Sequence, residues 1–248
     1  MSVKTILVSQ PKPDSDKSPY FDLADKFKLK IDFIPFINIE GVTSREFRDQ
    51  KIELGMHTAV ILTSKTAVDH FFRIAEETRF KVPDAMKYFC MSEAVAYYLQ
   101  KYVVYRKRKI FYGKQNITDL MEVLKKHKEE KYLLPCSDIL RKTIPDTLEE
   151  HNLIWSKLVL YRTVAADLSN LEDVYYDLLV FFSPSGIESL LKNFPEFKQN
   201  KTKIAAFGPT TANAVKKYNL RLDIHAPLPA APSMSMAIEQ YIKTSKKK

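Results

Sequence analysis

Two stretches far apart in the chain read as copies of one pattern, and that repetition limits the fold more than any other feature. VILTSKTAVDHFF (60–72) matches LVFFSPSGIESLL (179–191), with Ser64 opposite Ser183 and Val68 opposite Ile187. FCMSEAVAYYLQKY (89–102) matches AAFGPTTANAVKKY (205–218), with Ser92 opposite Gly208 and Tyr102 opposite Tyr218. A weaker third pair, NITDLMEVL (116–124) and SMSMAIEQY (233–241), keeps the order and nearly the offset. Repetition of this kind implies two similar units. At 248 residues the chain is long enough for each to bury its own core.

Short apolar runs alternate with amphipathic stretches along the whole chain. Strands are expected over 5–8, 31–34, 59–62, 88–90, 131–134, 158–161, 178–182 and 204–207. Helices are expected over 21–27, 65–77, 93–101, 117–127, 144–150, 186–193, 210–218 and 233–241. This alternation predicts an α/β fold of parallel sheets covered by helices, with ligand sites at the carboxyl ends of the strands. One repeat copy is central and the other C-terminal, so the first βα unit predicts a discontinuous domain one, 1–33 with 166–248, around a domain two, 38–160. Residues 34–37 and 161–165 are the expected crossings. IDFIPFINIE (31–40) carries Pro35, which disfavours helix at Ile34. SKLVLYRTVAAD (156–167) is β-branched and apolar before it turns polar. Side by side, the two crossings would form a two-stranded β-ladder hinge with a cleft beneath it.

Several chemistries have no motif here. Five glycines leave no GxGxxG, and Walker A and GxSxG patterns are missing. No pair of carboxylates stands out as a glycosidase set. The five histidines are scattered without HxxxH spacing, so no metal site is expected. Cys90 and Cys136 make no metal spacing either and read as buried, reduced thiols. The net charge of +9 includes Arg106-Lys107-Arg108-Lys109 and Lys246-Lys247-Lys248. Charge alone would admit a polyanion, but no zinc-finger, RNP or helix-turn-helix pattern points to nucleic acid. No apolar run approaches the ~20 residues of a membrane span. MSVKTILVSQPKPD reads as a first strand and not as a leader, so a cytoplasmic monomer without membrane contact is the expectation.

The candidate binding groups are helix starts that follow strands. Ser64, Ser92, Ser183 and the Gly208-Pro209-Thr210-Thr211 stretch each put a hydroxyl where backbone N–H groups are free. Serine before a helix is also an ordinary N-cap. As a set, two per domain, the four suggest a site for several carboxylates or phosphates. Tyr161 in the return crossing is a different candidate, a phenol able to give a proton to a leaving oxygen, against the plainer reading of a half-buried strand tyrosine. A non-catalytic, cleft-closing polyanion-binding protein would use the same helix starts.

LVFFSPSGIESLL, KIAAFGPTTANAVKKYNLRLDIHAPLPAAPSMSMAI and VLYRTV resemble segments of uroporphyrinogen-III synthases, and AVILTSKTAVDHFF and TILVSQPKP fit other segments in order. The resemblance covers nearly the whole chain and is loosest between about 80 and 150. It implies two HemD-like (flavodoxin-like) domains joined by a two-stranded ladder. It implies cyclisation of a linear tetrapyrrole, hydroxymethylbilane, with loss of water and inversion of the last ring, and no metal or organic cofactor. It allows a transient contact with the enzyme of the preceding step. Tyr161 falls on the family's crossing-strand tyrosine, which assists departure of the hydroxyl. Gly208, Thr210 and Thr211 match its Gly-x-Thr-x segment, Ser183, Ser185 and Gly186 its Ser-Pro-Ser segment, Ser64 the counterpart in the other domain, and Arg141 an arginine before the last domain-two helix; all are expected to bind substrate. Two departures stand out. Ser9-Gln10-Pro11 replaces Thr-Arg-Pro, with Lys12 next as a substitute basic contact for the substrate, and Ser92-Glu93-Ala94-Val95 replaces a Gly-Thr start, with Glu93 placed to repel a carboxylate.

Overall fold

The computed structural model describes residues 3–15, 17–171 and 175–245, so the terminal lysine run lies outside the described residues. In chain order the first elements are β1 (Thr5–Val8), α1 (Pro19–Phe27), β2 (Lys30–Phe33), β3 (Ile37–Gly41), α2 (Ser44–Asp49), β4 (Ala59–Leu62) and α3 (Lys65–Glu77). Then come β5 (Lys87–Cys90), α4 (Glu93–Leu99), β6 (Ile110–Tyr112), α5 (Ile117–Leu124), β7 (Lys131–Ser137), α6 (Thr143–Glu150) and β8 (Ile154–Ala165). The last are β9 (Leu178–Phe181), α7 (Pro184–Asn193), β10 (Lys203–Phe207), α8 (Pro209–Lys217), β11 (Ile224–Ala226) and α9 (Met234–Ser245). Two compact units result, Met1–Asn38 with Val164–Lys248, and Ile39–Thr163. The chain passes between them inside β3 and inside β8, with Pro35 in the break that ends β2.

The unit 39–163 holds a six-stranded sheet in the order β3-β8-β7-β4-β5-β6, parallel from β8 through to β6. Its central strands are buried on both sides, and period 2 sorts them into two layers. Val60 and Leu62 of β4 join a cluster with Val68 and Phe71 of α3 and Leu99 of α4. Ala59 and Ile61 join the opposite cluster with Leu120 of α5 and Leu148 of α6. Each large side chain so buried contributes about 1.5–3 kcal/mol, and a one-residue slip of β4 would exchange the two sets between layers.

The other unit repeats the design in a five-stranded sheet, β11-β10-β9-β1-β2, with every pairing parallel. Ile6, Val180 and Ala205 pack with α9 on one face. Leu7, Phe181 and Ala206 pack with Ile187 of α7 and Val215 of α8 on the other. The expected α/β architecture with parallel sheets is thus present. The ends differ by a few residues. α4 stops at Leu99 and α5 at Leu124, where Lys125–His127 tightens into a 3-10 turn, and the run expected over 158–161 is the middle of a longer β8. Among the described residues no helix is long and apolar enough to cross a membrane.

Both cysteines are free and buried, as expected of them. Burial pushes the Cys90 thiol up to about 12 and the Cys136 thiol up to about 11, so neither offers a thiolate near neutrality. Native protein at pH 8 is expected to leave both unreacted with an aromatic disulfide reagent over minutes, and denaturant should release both; prompt modification of the native protein would contradict this packing.

Candidate active site

The parallel strands of the unit 39–163 end on a common edge, and the segments leaving that edge enclose a pocket of about 360 Å³. Thr63 follows β4, Met91 follows β5, Asn116 caps α5, Ser137 and Arg141 close β7, and Tyr161 comes from β8; all six line the pocket. Arg141 is exposed, and its guanidinium makes no ion pair or hydrogen bond among the described residues. Tyr161 and Arg141, far apart in sequence, are brought to one wall system. Ser64, next to Thr63, is the N-cap of α3 and lies near Tyr161, accepting from the Ala67 N–H at 3.1 Å.

Tyr161 reaches this position through a break in strand periodicity. Cys136 pairs with Val159 but Ser137 pairs with Tyr161, which leaves Leu160 as an inserted residue. In an uninterrupted strand Leu160 and Tyr161 would face opposite layers. Here both are buried, at 0% and 8% exposure, and join the same cluster, the re-aiming that a bulge produces. The bulge is held from β7's end, where the Asp138 N–H donates to the Tyr161 carbonyl at 3.1 Å. Burial pushes the Tyr161 phenol up from its usual value, and the nearby Ser64 hydroxyl pulls the other way. The phenol therefore stays protonated across neutral pH and is available as a hydrogen-bond donor. Its ring stacks on His70 of α3, with centroids 5.0 Å apart and planes at 22°.

The other unit carries its own group at the carboxyl edge of its sheet. Ser183 caps α7 by accepting from the Gly186 N–H at 3.3 Å, and Ser185 is half-buried in the first turn. The extended backbone of Ser183 (φ −149°, ψ 154°) copies that of Ser64 (φ −158°, ψ 166°), so the paired serines of the repeat are equivalent in form. A Cβ on Gly186 would lie 3.3 Å from Phe181 Cδ1 and 3.6 Å from Ser9 Oγ. The absence of a side chain there lets the helix start close on β1 and β9. Lys12 is exposed, its ammonium 5.8 Å from the Phe21 ring centre.

At α8 the structure separates the two threonines. The capping residue is Gly208, at φ 84°, and it has no side chain to satisfy the first turn. Thr210 is exposed, whereas Thr211 is 1% exposed and its Oγ1 has no hydrogen-bond partner among the described residues. At α4, Ser92 makes no side-chain capping bond, and Glu93 in the first turn accepts from the Tyr112 hydroxyl at 3.3 Å.

Two features elsewhere are unlike this edge. His127, Glu129 and Glu130 have the spacing of metal ligands, but the Lys87 ammonium sits 2.5 Å from Glu130 and 3.5 Å from His127 Nδ1. That cation already occupies the charge position, at the amino edge of the sheet. A larger hollow of about 970 Å³ runs along the 193–202 segment, at the amino end of β10, and contains none of the expected site residues.

Motif reading missed His70, together with Arg73 and Gly41, which pack around it. The signal present in the sequence is the spacing of His70, Arg73 and Glu77, which places them along one helix face. Nothing local marks that face as the one turned to Tyr161.

Fold and site together define a class: parallel α/β proteins of two similar units, whose unpaired cation, open helix starts and neutral phenol stand at the carboxyl edges of the sheets. Residues 22–235 match the family described as Uroporphyrinogen-III synthase HemD. The chain belongs to the uroporphyrinogen-III synthase family. It is 24% identical over 252 residues to the uroporphyrinogen-III synthase of Schizosaccharomyces pombe, covering 96% of this chain and 98% of the relative. It is also 24% identical over 264 residues to that of Chlorobaculum parvum, covering 97% and 100%. Among solved structures, uroporphyrinogen-III synthetase of Helicobacter pylori shares the fold at TM-score 0.62, with 17% identity over 97% of this chain and 99% of that one. A mutant uroporphyrinogen III synthase of Thermus thermophilus does so at TM-score 0.55, with 14% identity over 99% and 100%.

A buried hydroxyl without a partner is a cost that an isosteric methyl removes. Thr211→Val is expected to leave stability to urea unchanged or raise it by about 1 kcal/mol. A loss of about 1 kcal/mol or more would reveal a partner for Oγ1.

Proposed function

We propose that the protein is a carbon–oxygen lyase that converts hydroxymethylbilane to uroporphyrinogen III, closing the tetrapyrrole with loss of water and inversion of its terminal ring. The observation that carries this reading is the family match spanning residues 22–235 on a chain whose pocket is lined by both Tyr161 and Arg141.

The groups divide between holding and chemistry. The substrate bears carboxylates on every ring, and Arg141, unpaired and exposed, is suited to grip one with two parallel N–H bonds. Gly208 leaves the first-turn N–H groups of α8 without a side-chain cap, and a Cβ there would meet nothing within 4 Å. That open, positively polarised end takes a second carboxylate, with the exposed Thr210 hydroxyl beside it. Thr211 contributes through its N–H, since its hydroxyl is turned into the core. Ser183, Ser185 and Gly186 offer a similar end at α7, and Lys12 supplies a cation in place of an arginine.

Tyr161 donates a hydrogen bond to the terminal hydroxyl as it leaves as water. Ser64 Oγ accepts from the Ala67 N–H, so its own proton is free to support the phenol oxygen. The remaining work is conformational: the chain must be held so that the last ring closes in the inverted sense, and effective molarity supplies most of the acceleration.

The test is incubation with hydroxymethylbilane and separation of the porphyrin isomers. The type III isomer is expected to dominate; type I alone would sink the enzyme reading and favour the non-catalytic polyanion-binding alternative. Tyr161→Phe is expected to lower type III formation by about 10- to 1000-fold, and undiminished formation would remove the phenol from the mechanism. Arg141→Gln and Thr210→Ala are expected to raise KM by about 10-fold and about 3-fold with kcat nearly unchanged; a fall in kcat at constant KM would contradict a holding role.

A further inference from the structure

Tyr161 is supported by a linked set of groups that no motif announces. Its ring lies on the His70 imidazole. His70 Nδ1 accepts from Arg73 Nε–H at 3.2 Å, and Arg73 also donates through Nη1 to Glu77 at 2.6 Å. Arg73 Nη2 donates to the carbonyls of Val42, at 2.9 Å, and Leu160, at 3.4 Å. The Leu160 carbonyl belongs to the peptide that leads into Tyr161, at the inserted residue of the bulge. One guanidinium thus holds both the ring's stacking partner and the backbone that carries the ring.

The chemistry of the set allows one protonation pattern. A guanidinium has no lone pair to offer, so Nδ1 must be the acceptor and the imidazole proton lies on Nε2. Protonating Nδ1 would set two N–H donors against each other beside a permanent cation. Close packing adds a backbone requirement: a Cβ at Gly41 would lie 2.8 Å from Arg73 Nη2 and 3.0 Å from His70 Cε1. The missing side chain at residue 41 leaves room for the Arg73 guanidinium in the place where its four hydrogen bonds hold it.

We propose that His70 and Arg73 are positioning residues that hold the Tyr161 ring in its working orientation, with His70 neutral and stacked against it. The inference rests on the reading that Tyr161 assists the departing hydroxyl. It assigns His70 no contact with substrate.

The test compares His70→Ala, Arg73→Lys, Tyr161→Phe and the His70→Ala/Tyr161→Phe double variant, by steady-state kinetics and by the carbon-13 spectrum of ring-labelled tyrosine. His70→Ala is expected to lower kcat about 10- to 100-fold, the range for a slightly misplaced reacting group, while KM changes by less than about threefold. It should shift the Tyr161 ring signal, identified by its loss in Tyr161→Phe, and add no further loss in the Tyr161→Phe background. Arg73→Lys keeps the charge facing Glu77 but cannot bridge the imidazole and both carbonyls, so it should do the same to a smaller degree; it serves if His70→Ala does not fold. An unmoved ring signal, or losses that simply add in the double variant, overturns the proposal. If Tyr161→Phe keeps full activity, the catalytic reading of the phenol has failed, and the ring signal alone then decides whether His70 and Arg73 hold it.

Discussion

Strands buried on both faces are the constraint from which the rest follows. β4 and β9 carry no exposed residue, so both sides of each sheet need cover, which parallel strands linked by crossover helices supply. Ligand groups are thereby confined to the strand ends. At the carboxyl edge, helix starts bring uncapped or singly capped N–H groups and positive polarisation, which suits a ligand rich in carboxylates. The amino edge carries instead the Lys87–Glu130 pair and the 193–202 segment.

The proposed role of Tyr161 depends on one departure from this regularity. Insertion of Leu160 turns Tyr161 out of its expected layer. The phenol then lies beside the α3 start with a raised pKa, next to Ser64. In the proposed mechanism, regular strand geometry positions the holding groups, and the irregular residue positions the one group asked to act on a bond. The proposed mechanism asks little acid–base strength of the protein, since positioning of a flexible substrate would supply most of the acceleration.

The layers were legible because hydrophobic period and repeat reinforce each other. Val60 opposite Leu179 and Ser64 opposite Ser183 keep the same phase in both units. β6 and β11 are not legible in the sequence, because IFY and IHA are too short to show a period. α2 lies outside the helices expected from the sequence, although its capping box, Thr43 with Glu46, is written in the residues. The site was legible as helix starts and not as side-chain directions. Adjacent residues on a helix point about 100° apart, so Thr210 and Thr211 can differ in exposure, as they do here, where Thr210 is exposed and Thr211 buried. Which of them faces outward follows from the packing of α8 against β10. An inserted strand residue is equally invisible to a count by twos, and so were the neighbours of Tyr161.

The central claim is that the carboxyl-edge groups hold the tetrapyrrole. Its most direct test is an amide chemical-shift map recorded on adding uroporphyrinogen III under reducing conditions. The account predicts the largest changes at the Thr210 and Thr211 N–H groups, at the start of α7, and around Arg141 and Tyr161. Changes concentrated along 193–202 and around Lys87, with the helix starts unmoved, would contradict it.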